Sequence, residues 1–200
     1  MEWTFPADFS QSTIGGRNGS NACAFISLYF GQLASKGILP PRQRLALDVL
    51  WKDALREAMT RGNDLHDEIF DHEGVNLNVD EAVEMAGDDC GVLSLGRQKD
   101  LFGGTVVVKQ LLADLLDELA GRRQRTCLLF FSSGKTMFLL VDSCGHMYFV
   151  DSHSHRDCGA IIASSQPGNG VEFTEWIDKM MNLNWQTSLT LGSVTEVIYA

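Results

Sequence analysis

The chain has 200 residues, of which 44% are hydrophobic, and this length and composition suit one domain with a sizeable core. Its net charge of −10 disfavours binding to nucleic acid or to an anionic membrane surface and favours a basic or neutral partner. There is no run of about 18 apolar residues to predict a membrane helix, and the N-terminal residues lack the pattern of a secretory signal peptide.

The chain begins with an irregular stretch, residues 1–14, and continues through a glycine-rich loop into an apolar helix over residues 21–36. Ser20 and Asn21 are both good N-cap residues, so we expect the helix to begin at one of them. Cys23 then falls in the first turn. Backbone N–H groups without intrahelical partners and the helix dipole favour a thiolate over a thiol there.

Three further helices are predicted in the first part of the chain. Apolar residues at helical spacing place them at residues 41–60, 79–87 and 105–120. Arg61-Gly62-Asn63 is expected to end the first, and Asn78 or Asp80 to cap the second. The glycines between residues 88 and 104 predict a loop with one short strand.

Strands are predicted after residue 126. Short apolar runs separated by glycine-containing turns predict an antiparallel meander at 127–131, 136–141 and 147–151. A fourth strand is predicted at 160–163, a helix at 173–181 and a last strand at 194–199. Helices followed by an antiparallel sheet indicate an α+β fold. We expect one domain over residues 1–200, with a helical part at about 15–121 and a sheet part at about 126–200.

The cysteines give a prediction about the cellular compartment. They stand at positions 23, 90, 127, 144 and 158, and no two form a C-x-x-C pair. This odd count indicates neither a disulfide framework nor a zinc site. We therefore expect a reducing compartment, the cytoplasm or the nucleus, and no metal or other cofactor. The four cysteines other than Cys23 are interpreted as structural or incidental.

A second group of reactive residues follows the third predicted strand. Side chains two apart on a strand share a face, so Asp151 and His153 are expected to point the same way. A carboxylate beside an imidazole orients the ring and stabilises its charged form. We interpret Cys23 as a nucleophile, His153 as its base and Asp151 as the orienting group. His155, next on that face, is a competing base.

Each of these assignments has an alternative. A free cysteine is most often a buried small hydrophobe, and Cys23 by itself fits that description. Asp151, His153 and His155 could instead converge on a metal ion, but no distant His or Cys cluster completes such a site. Gln11 is the best-placed side chain to donate to an oxyanion beside the Cys23 backbone N–H, with Asn18 and Asn21 behind it. Gln11 could equally be an ordinary polar loop residue.

These motifs resemble those of a known family. Gln11, the sequence Gly19-Ser20-Asn21-Ala22-Cys23 at a helix start, and Asp151-x-His153 at a strand end are similar to the herpesvirus large-tegument-protein deubiquitinases and their relatives outside viruses. The resemblance spans about Gln11 to the strand after Asp157, although residues 60–105 do not match. It implies a papain-like fold with Cys23, Gln11, Asp151 and His153 at the site.

The resemblance also implies a substrate, ubiquitin or a polyubiquitin chain, cleaved after the C-terminal Gly-Gly. Acidic residues crowd the interval 64–89 and could steer such a basic partner: Asp64, Asp67, Glu68, Asp71, Glu73, Asp80, Glu81, Glu84, Asp88 and Asp89. The same run could be an ordinary solvated helix face. Interleaved apolar residues, from Val75 to Met85, could be core or an exposed patch.

The substrate tail would need a narrow groove, which Gly15-Gly16 or Gly103-Gly104 could line. We expect a monomer that binds neither nucleic acid nor membrane. Two alternative functions stay open. One is a cysteine acyltransferase or amidase that uses the same three residues on another peptide or small substrate. The other is a non-catalytic module in which the acidic interval binds a partner, such as a ubiquitin-like protein, and Cys23 belongs to the core.

Overall fold

A computed structural model describes residues 1–36 and 49–200. This part of the chain contains seven strands: β1 (Glu2–Thr4), β2 (Val92–Phe102), β3 (Thr126–Ser132), β4 (Lys135–Val141), β5 (Met147–Asp151), β6 (Ile161–Ser165) and β7 (Leu191–Tyr199). They form one sheet in the order β1-β6-β5-β4-β3-β7-β2, and every neighbouring pair is antiparallel.

Helices cover both faces of the sheet. They are α1 (Cys23–Ser35), α2 (Val49–Phe70), α3 (Val79–Ala86), α4 (Thr105–Gly121) and α5 (Gly170–Trp185). Alternate residues of β3 belong to different cores: Leu129 packs with α1, α2 and α3, whereas Leu128 packs with α4 and α5. Burial on both faces explains why β3 is apolar without alternation. The predicted α+β class is confirmed. No helix within the described residues is long and apolar enough to span a membrane.

The predicted apolar helix is confirmed as α1, which is buried along almost its whole length between α2 and β4. Its predicted start is wrong by one or two residues, because Ala22 occupies the N-cap position and Cys23 is the first helical residue. Ser20 still contributes, since its hydroxyl oxygen accepts the N–H of Ala22 at 3.1 Å. Cys23 therefore does lie in the first turn.

The second predicted helix differs most from expectation. Its residues 41–48 lie outside the described residues, and the remainder belongs to α2. The prediction that Arg61-Gly62-Asn63 ends this helix is wrong, because α2 continues to Phe70. Gly62 is a packing residue rather than a helix breaker. A Cβ there would lie 2.5 Å from Cγ1 of Ile26 and 2.8 Å from its backbone nitrogen, so glycine permits the close approach of α1 and α2.

The loop predicted between residues 88 and 104 is largely the long strand β2. This edge strand pairs with β7, and its register shifts between Val92 and Ser94 and again between Leu95 and Gln98. Such irregularities break the alternation of apolar and polar residues, and the period-2 signal is lost. The stretch predicted as irregular, residues 1–14, likewise contains β1, which pairs with β6.

The other predicted elements are confirmed with small changes at their ends. The helix predicted at 79–87 is α3, and Asn78 caps it by accepting the N–H of Glu81 at 2.9 Å. The helix predicted at 105–120 is α4. The meander is β3, β4 and β5, followed by β6, α5 and β7. The division into a helical and a sheet part is not strict, because β2 precedes α4 and α5 lies between β6 and β7.

Candidate active site

Cys23 lies at the junction of the glycine-rich loop and α1, pressed against the sheet. Its side chain is buried, with 6% of the residue exposed. The backbone N–H of Thr136, at the start of β4, donates to the sulfur at 3.4 Å. A sulfur that accepts a hydrogen bond and sits at a helix N-terminus is stabilised as a thiolate.

His153 and Asp151 meet Cys23 from the other side. Nδ1 of His153 donates to Oδ1 of Asp151 at 2.6 Å, and the backbone N–H of His153 donates to the same oxygen at 2.9 Å. The imidazole also lies close enough to the Cys23 side chain to lower the pKa of its thiol. Because Nδ1 is engaged by the carboxylate, Nε2 is the nitrogen that faces the sulfur. Asp151 is fully buried, whereas His153 retains 9% exposure.

The reason for this alignment differs from the one that the sequence predicted. The strand β5 ends at Asp151, so the alternation of a strand does not extend to His153. The chain instead bends after Asp151, and the carboxylate holds both the backbone and the ring of His153.

The electrostatics favour a thiolate–imidazolium pair. Burial raises the pKa of Cys23, but the hydrogen bond and charge of His153 and the donor at Thr136 outweigh it, so the pKa lies below its usual 9.0. Burial lowers the pKa of His153, but Asp151 and the nearby sulfur raise it to about 9. Although burial opposes it, the two histidines hold the pKa of Asp151 well below its usual range.

Three other cysteines, of which Cys90 and Cys127 are buried and Cys158 is partly buried, behave in the opposite way. Burial raises the pKa of Cys127 to about 12, and burial also raises the pKa of Cys90 and of Cys158. Burial alone therefore raises the pKa of a cysteine in this protein. The pKa of Cys23 is lowered instead because of its partners, His153 and the N–H of Thr136.

His155 lies beside Asp151 but does not face the sulfur in the same way. Nδ1 of His155 is 2.7 Å from the carbonyl oxygen of Gly159, and Nε2 is 3.1 Å from Oδ2 of Asp151. Both ring nitrogens are thus engaged by groups other than the Cys23 sulfur. The geometry thus favours His153 as the base. It also disfavours a metal ion among these three residues, because their nitrogens donate to the carboxylate.

Gln11 joins the segments that carry Cys23 and His153. Its backbone N–H donates to the carbonyl of Ser152 at 2.7 Å, and its Oε1 accepts the hydroxyl of Ser152, also at 2.7 Å. Its Nε2 donates to the carbonyl of Ser20 at 3.1 Å, three residues before the sulfur. These contacts fix the amide with its nitrogen toward the loop that precedes Cys23.

Asn18 and Asn21, the other two candidate oxyanion donors, are placed differently. Asn18 is exposed and Asn21 donates to Asn76, so neither side chain is held in the way that Gln11 is.

Asn63 supports this arrangement and was missed by sequence reasoning, which interpreted it as part of a helix break. It is buried on α2, where its amide nitrogen donates to the Gln11 carbonyl at 2.9 Å. Its amide oxygen accepts the Ser20 hydroxyl at 2.6 Å. One side chain thus ties the Gln11 segment to the loop before Cys23. An asparagine in a helical stretch carries no sequence signal for such a role.

Trp185 is a second residue that the sequence did not single out. Its ring centroid lies 5.6 Å from that of His153 and 5.4 Å from that of His155. The ammonium group of Lys135 lies 5.0 Å from the same ring. The indole therefore shields the histidines and keeps their hydrogen bonds to Asp151 in an apolar environment.

A cavity of about 380 Å³ opens beside the loop that leads to Cys23. Its walls come from that loop and from the end of α2, and they include Arg17, Gly19, Asn21, Asp67, Glu73 and Gly74. The glycines expected to line a groove, Gly15-Gly16 or Gly103-Gly104, do not line this cavity; Gly19 and Gly74 do.

The acidic interval reaches this cavity, which two of its carboxylate residues, Asp67 and Glu73, line. Its carboxylates are exposed except that of Asp67, which is partly buried in an ion pair with Arg17 at 2.5 Å. Among the interleaved apolar residues Leu77 and Val79 are buried, whereas Met85 is exposed. The apolar residues therefore belong mainly to the core, and the acidic residues supply the surface.

The solved structures that are similar to this fold include the following two. The first is the ubiquitin-specific protease encoded by the murine cytomegalovirus tegument protein M48, in complex with a ubiquitin-based suicide substrate, with a TM-score of 0.58 and 15% identity. The match covers 98% of this chain and 84% of the viral chain. The second is the Pseudomonas avirulence protein AvrPphB, with a TM-score of 0.50 and 16% identity over 89% of this chain and 92% of that one.

No protein-family model and no curated protein matches the sequence. At this level of identity, the structural matches show the fold, which is that of the papain-like cysteine proteases.

Proposed function

We propose that this chain is a cysteine protease that hydrolyses the peptide or isopeptide bond after the C-terminal Gly-Gly of ubiquitin. The observation that carries the proposal is the buried contact of Cys23 with His153, whose ring is held by Asp151. A lowered pKa at the sulfur and a raised pKa at the imidazole give the protonation states that a thiol protease needs at neutral pH.

The reaction proceeds in two halves. The Cys23 thiolate attacks the carbonyl of the terminal glycine, and the bond between that carbonyl and the substrate nitrogen breaks. His153 gives its proton to the departing lysine amine, which leaves a thioester on Cys23. Water then attacks the thioester, His153 accepts a proton from that water, and the carboxylate product leaves as the thiolate is restored.

Two donors stabilise the oxyanion that forms in each half. The first is the backbone N–H of Cys23, which has no intrahelical partner because it lies in the first turn of α1. The second is Gln11. Its amide nitrogen carries two N–H groups, one of which donates to Ser20, and the other donates to the oxyanion.

Ubiquitin as the substrate rests on three supports besides the motif resemblance. The similar viral structure holds a ubiquitin-based suicide substrate. The reactive groups are also deeply placed, with Cys23 6% and His153 9% exposed, so a slim tail of glycines reaches them more easily than bulky side chains do. The acidic surface near the cavity suits a basic tail.

The protease works in a reducing compartment, the cytoplasm or the nucleus, because its chemistry requires a free thiol. The five free cysteines of the chain support this part of the proposal.

A ubiquitin probe with a C-terminal electrophile tests the proposal. Wild type and His155→Ala should be labelled, whereas Cys23→Ala should not be and His153→Ala should react far more slowly. Thermal unfolding of each variant establishes that it is folded. Labelling at another cysteine, or no labelling of folded wild type, would contradict the proposal.

The same experiment separates the alternative functions when small acyl donors are added. Acylation of Cys23 by such donors, without reaction with the ubiquitin probe, would identify an acyltransferase or amidase. Absence of both reactions in folded protein would indicate a non-catalytic module.

A further inference from the structure

The turn between β4 and β5 brings together three side chains of a kind that bind transition metals. Asp142, Cys144 and His146 each offer one ligand atom there, and the three atoms lie within 4.8 Å of one another. None of these residues belongs to the site around Cys23. An oxygen, a sulfur and a nitrogen donor form a set that zinc uses in proteins.

The position of His146 is the most informative feature of this turn. Its Nδ1 is buried and has no hydrogen-bond partner, although it lies 3.4 Å from Oδ2 of Asp142. Two ligands at about 2.1 Å from a tetrahedral ion are separated by about 3.4 Å. The two atoms therefore stand where ligands of one ion would stand.

Hydrogen bonds hold Asp142 in place for such a role. Its Oδ1 accepts the backbone N–H groups of Cys144 at 2.8 Å and of His146 at 2.9 Å. This directs Oδ2 toward His146, and the hydroxyl of Tyr148 lies 3.4 Å from the same oxygen. A hydrogen bond to a ligating carboxylate is typical of metal sites, because it orients the ligand.

We propose that Asp142, Cys144 and His146 bind a divalent transition metal ion, of which Zn²⁺ fits the donors best. Cys144 is exposed at the tip of the turn, so its sulfur can rotate toward the other two ligands. On binding, the thiol releases its proton to solvent and the sulfur binds as a thiolate. The three residues line a cavity of about 300 Å³, which admits water as the fourth ligand.

The ion would act on the hairpin rather than in the reaction. The turn joins the end of β4 to the start of β5, whereas Thr136 and Asp151 lie at the opposite ends of these strands. A metal ion at the turn would link the two strands that place the Thr136 N–H and the Asp151 carboxylate around Cys23 and His153. Its effect is therefore stabilisation of the hairpin.

Cobalt(II) provides the test, because a thiolate bound to cobalt gives a charge-transfer absorption band in the near ultraviolet. Reduced, metal-free wild type titrated with Co²⁺ should develop this band, and Zn²⁺ should abolish it. The band should be lost in Cys144→Ser and weakened in His146→Ala. Cys23→Ser and Cys158→Ser are the controls and should retain it. Zn²⁺ should also raise the unfolding temperature of wild type but not of Cys144→Ser.

Two results would overturn the proposal. The first is folded wild type that gives no band at any cobalt concentration below that at which the protein precipitates. The second is a band that survives in Cys144→Ser and disappears in Cys23→Ser, which would place the metal on the sulfur beside His153.

Discussion

His155 and Asp151 are joined through the carboxylate oxygen that His153 does not use. Nε2 of His155 lies 3.1 Å from Oδ2 of Asp151, while His153 occupies Oδ1 at 2.6 Å. The carboxylate thus holds two rings, but only the His153 ring is among the groups that lower the pKa of Cys23. His153 is therefore assigned as the base, and His155 as a residue that positions Asp151.

The two histidines should therefore differ in mutant kinetics. His153→Ala removes the proton acceptor and donor and should lower kcat by about 10²–10⁴-fold. His155→Ala leaves one oxygen of a buried carboxylate without its partner, which should cost roughly 1–3 kcal/mol of stability and change kcat much less. Initial rates and thermal unfolding measured on the same preparations distinguish the two effects. A larger loss of kcat in folded His155→Ala would reverse the assignment.

The pH dependence of activity should reflect the ionisation of Cys23 and His153. Between the lowered pKa of Cys23 and the pKa of about 9 at His153, the thiolate and the imidazolium coexist, so kcat/KM should be bell-shaped. Above about 9 the imidazolium is lost, and activity falls.

Replacement of Asp151 should shift the alkaline limb of this pH profile in a defined direction. Asp151→Asn removes the negative charge that raises the His153 pKa, while the burial that lowers it remains. The alkaline limb should therefore move to lower pH, and activity at pH 8 should fall more than activity at pH 6. An alkaline limb that stays near 9 would show that Asp151 does not set the ionisation of His153.

Gln11 can be tested as an oxyanion donor. Gln11→Ala should lower kcat by about 10²–10³-fold and leave KM nearly unchanged, because the oxyanion exists only along the reaction path. Ser152→Ala is the matched comparison, since it removes only the hydroxyl that holds Oε1 of Gln11. It should have a smaller effect. Unchanged kcat in Gln11→Ala would make Gln11 an ordinary polar loop residue.

Gly62→Ala should disturb the junction of α1 and α2. The new methyl group would clash with Ile26, three residues after Cys23, and we expect a loss of about 1–3 kcal/mol of stability together with reduced labelling of Cys23. Gly121→Ala is the control, because a Cβ at the end of α4 would meet no atom within 4 Å. Its unfolding temperature should be unchanged or slightly higher. Equal effects of the two substitutions would contradict the packing argument.

The exposed carboxylate of Glu73 at the cavity should contribute to substrate capture. Glu73 is exposed and lines the cavity, so Glu73→Lys should raise KM for ubiquitin substrates by about 3- to 10-fold, with less effect at high salt. Glu175→Lys makes the same charge change on α5, on the other face of the sheet, and should leave KM unchanged. Equal changes in both variants would indicate an effect of net charge alone.

Much of the fold could be predicted because its signals are local. The apolar run of α1, the cap of α3 at Asn78 and the strands of the meander each follow from neighbouring residues. The failures have a common cause. Gly62 was predicted to end a helix, because its role in the packing of α1 against α2 is visible only in the folded chain. The irregular pairing of β2 likewise conceals the alternation that would identify a strand.

The sequence by itself determined the types of reactive group, a thiol at a helix start and a carboxylate two residues before an imidazole. Tertiary structure decided how they meet. Only the folded chain brings Thr136 to the sulfur, lets Asn63 tie Gln11 to the loop before Cys23, and turns His153 toward the sulfur while His155 contacts Asp151 and Gly159. The physical reason is that the pKa of Cys23 depends on burial and on partners distant in sequence, which no local pattern records.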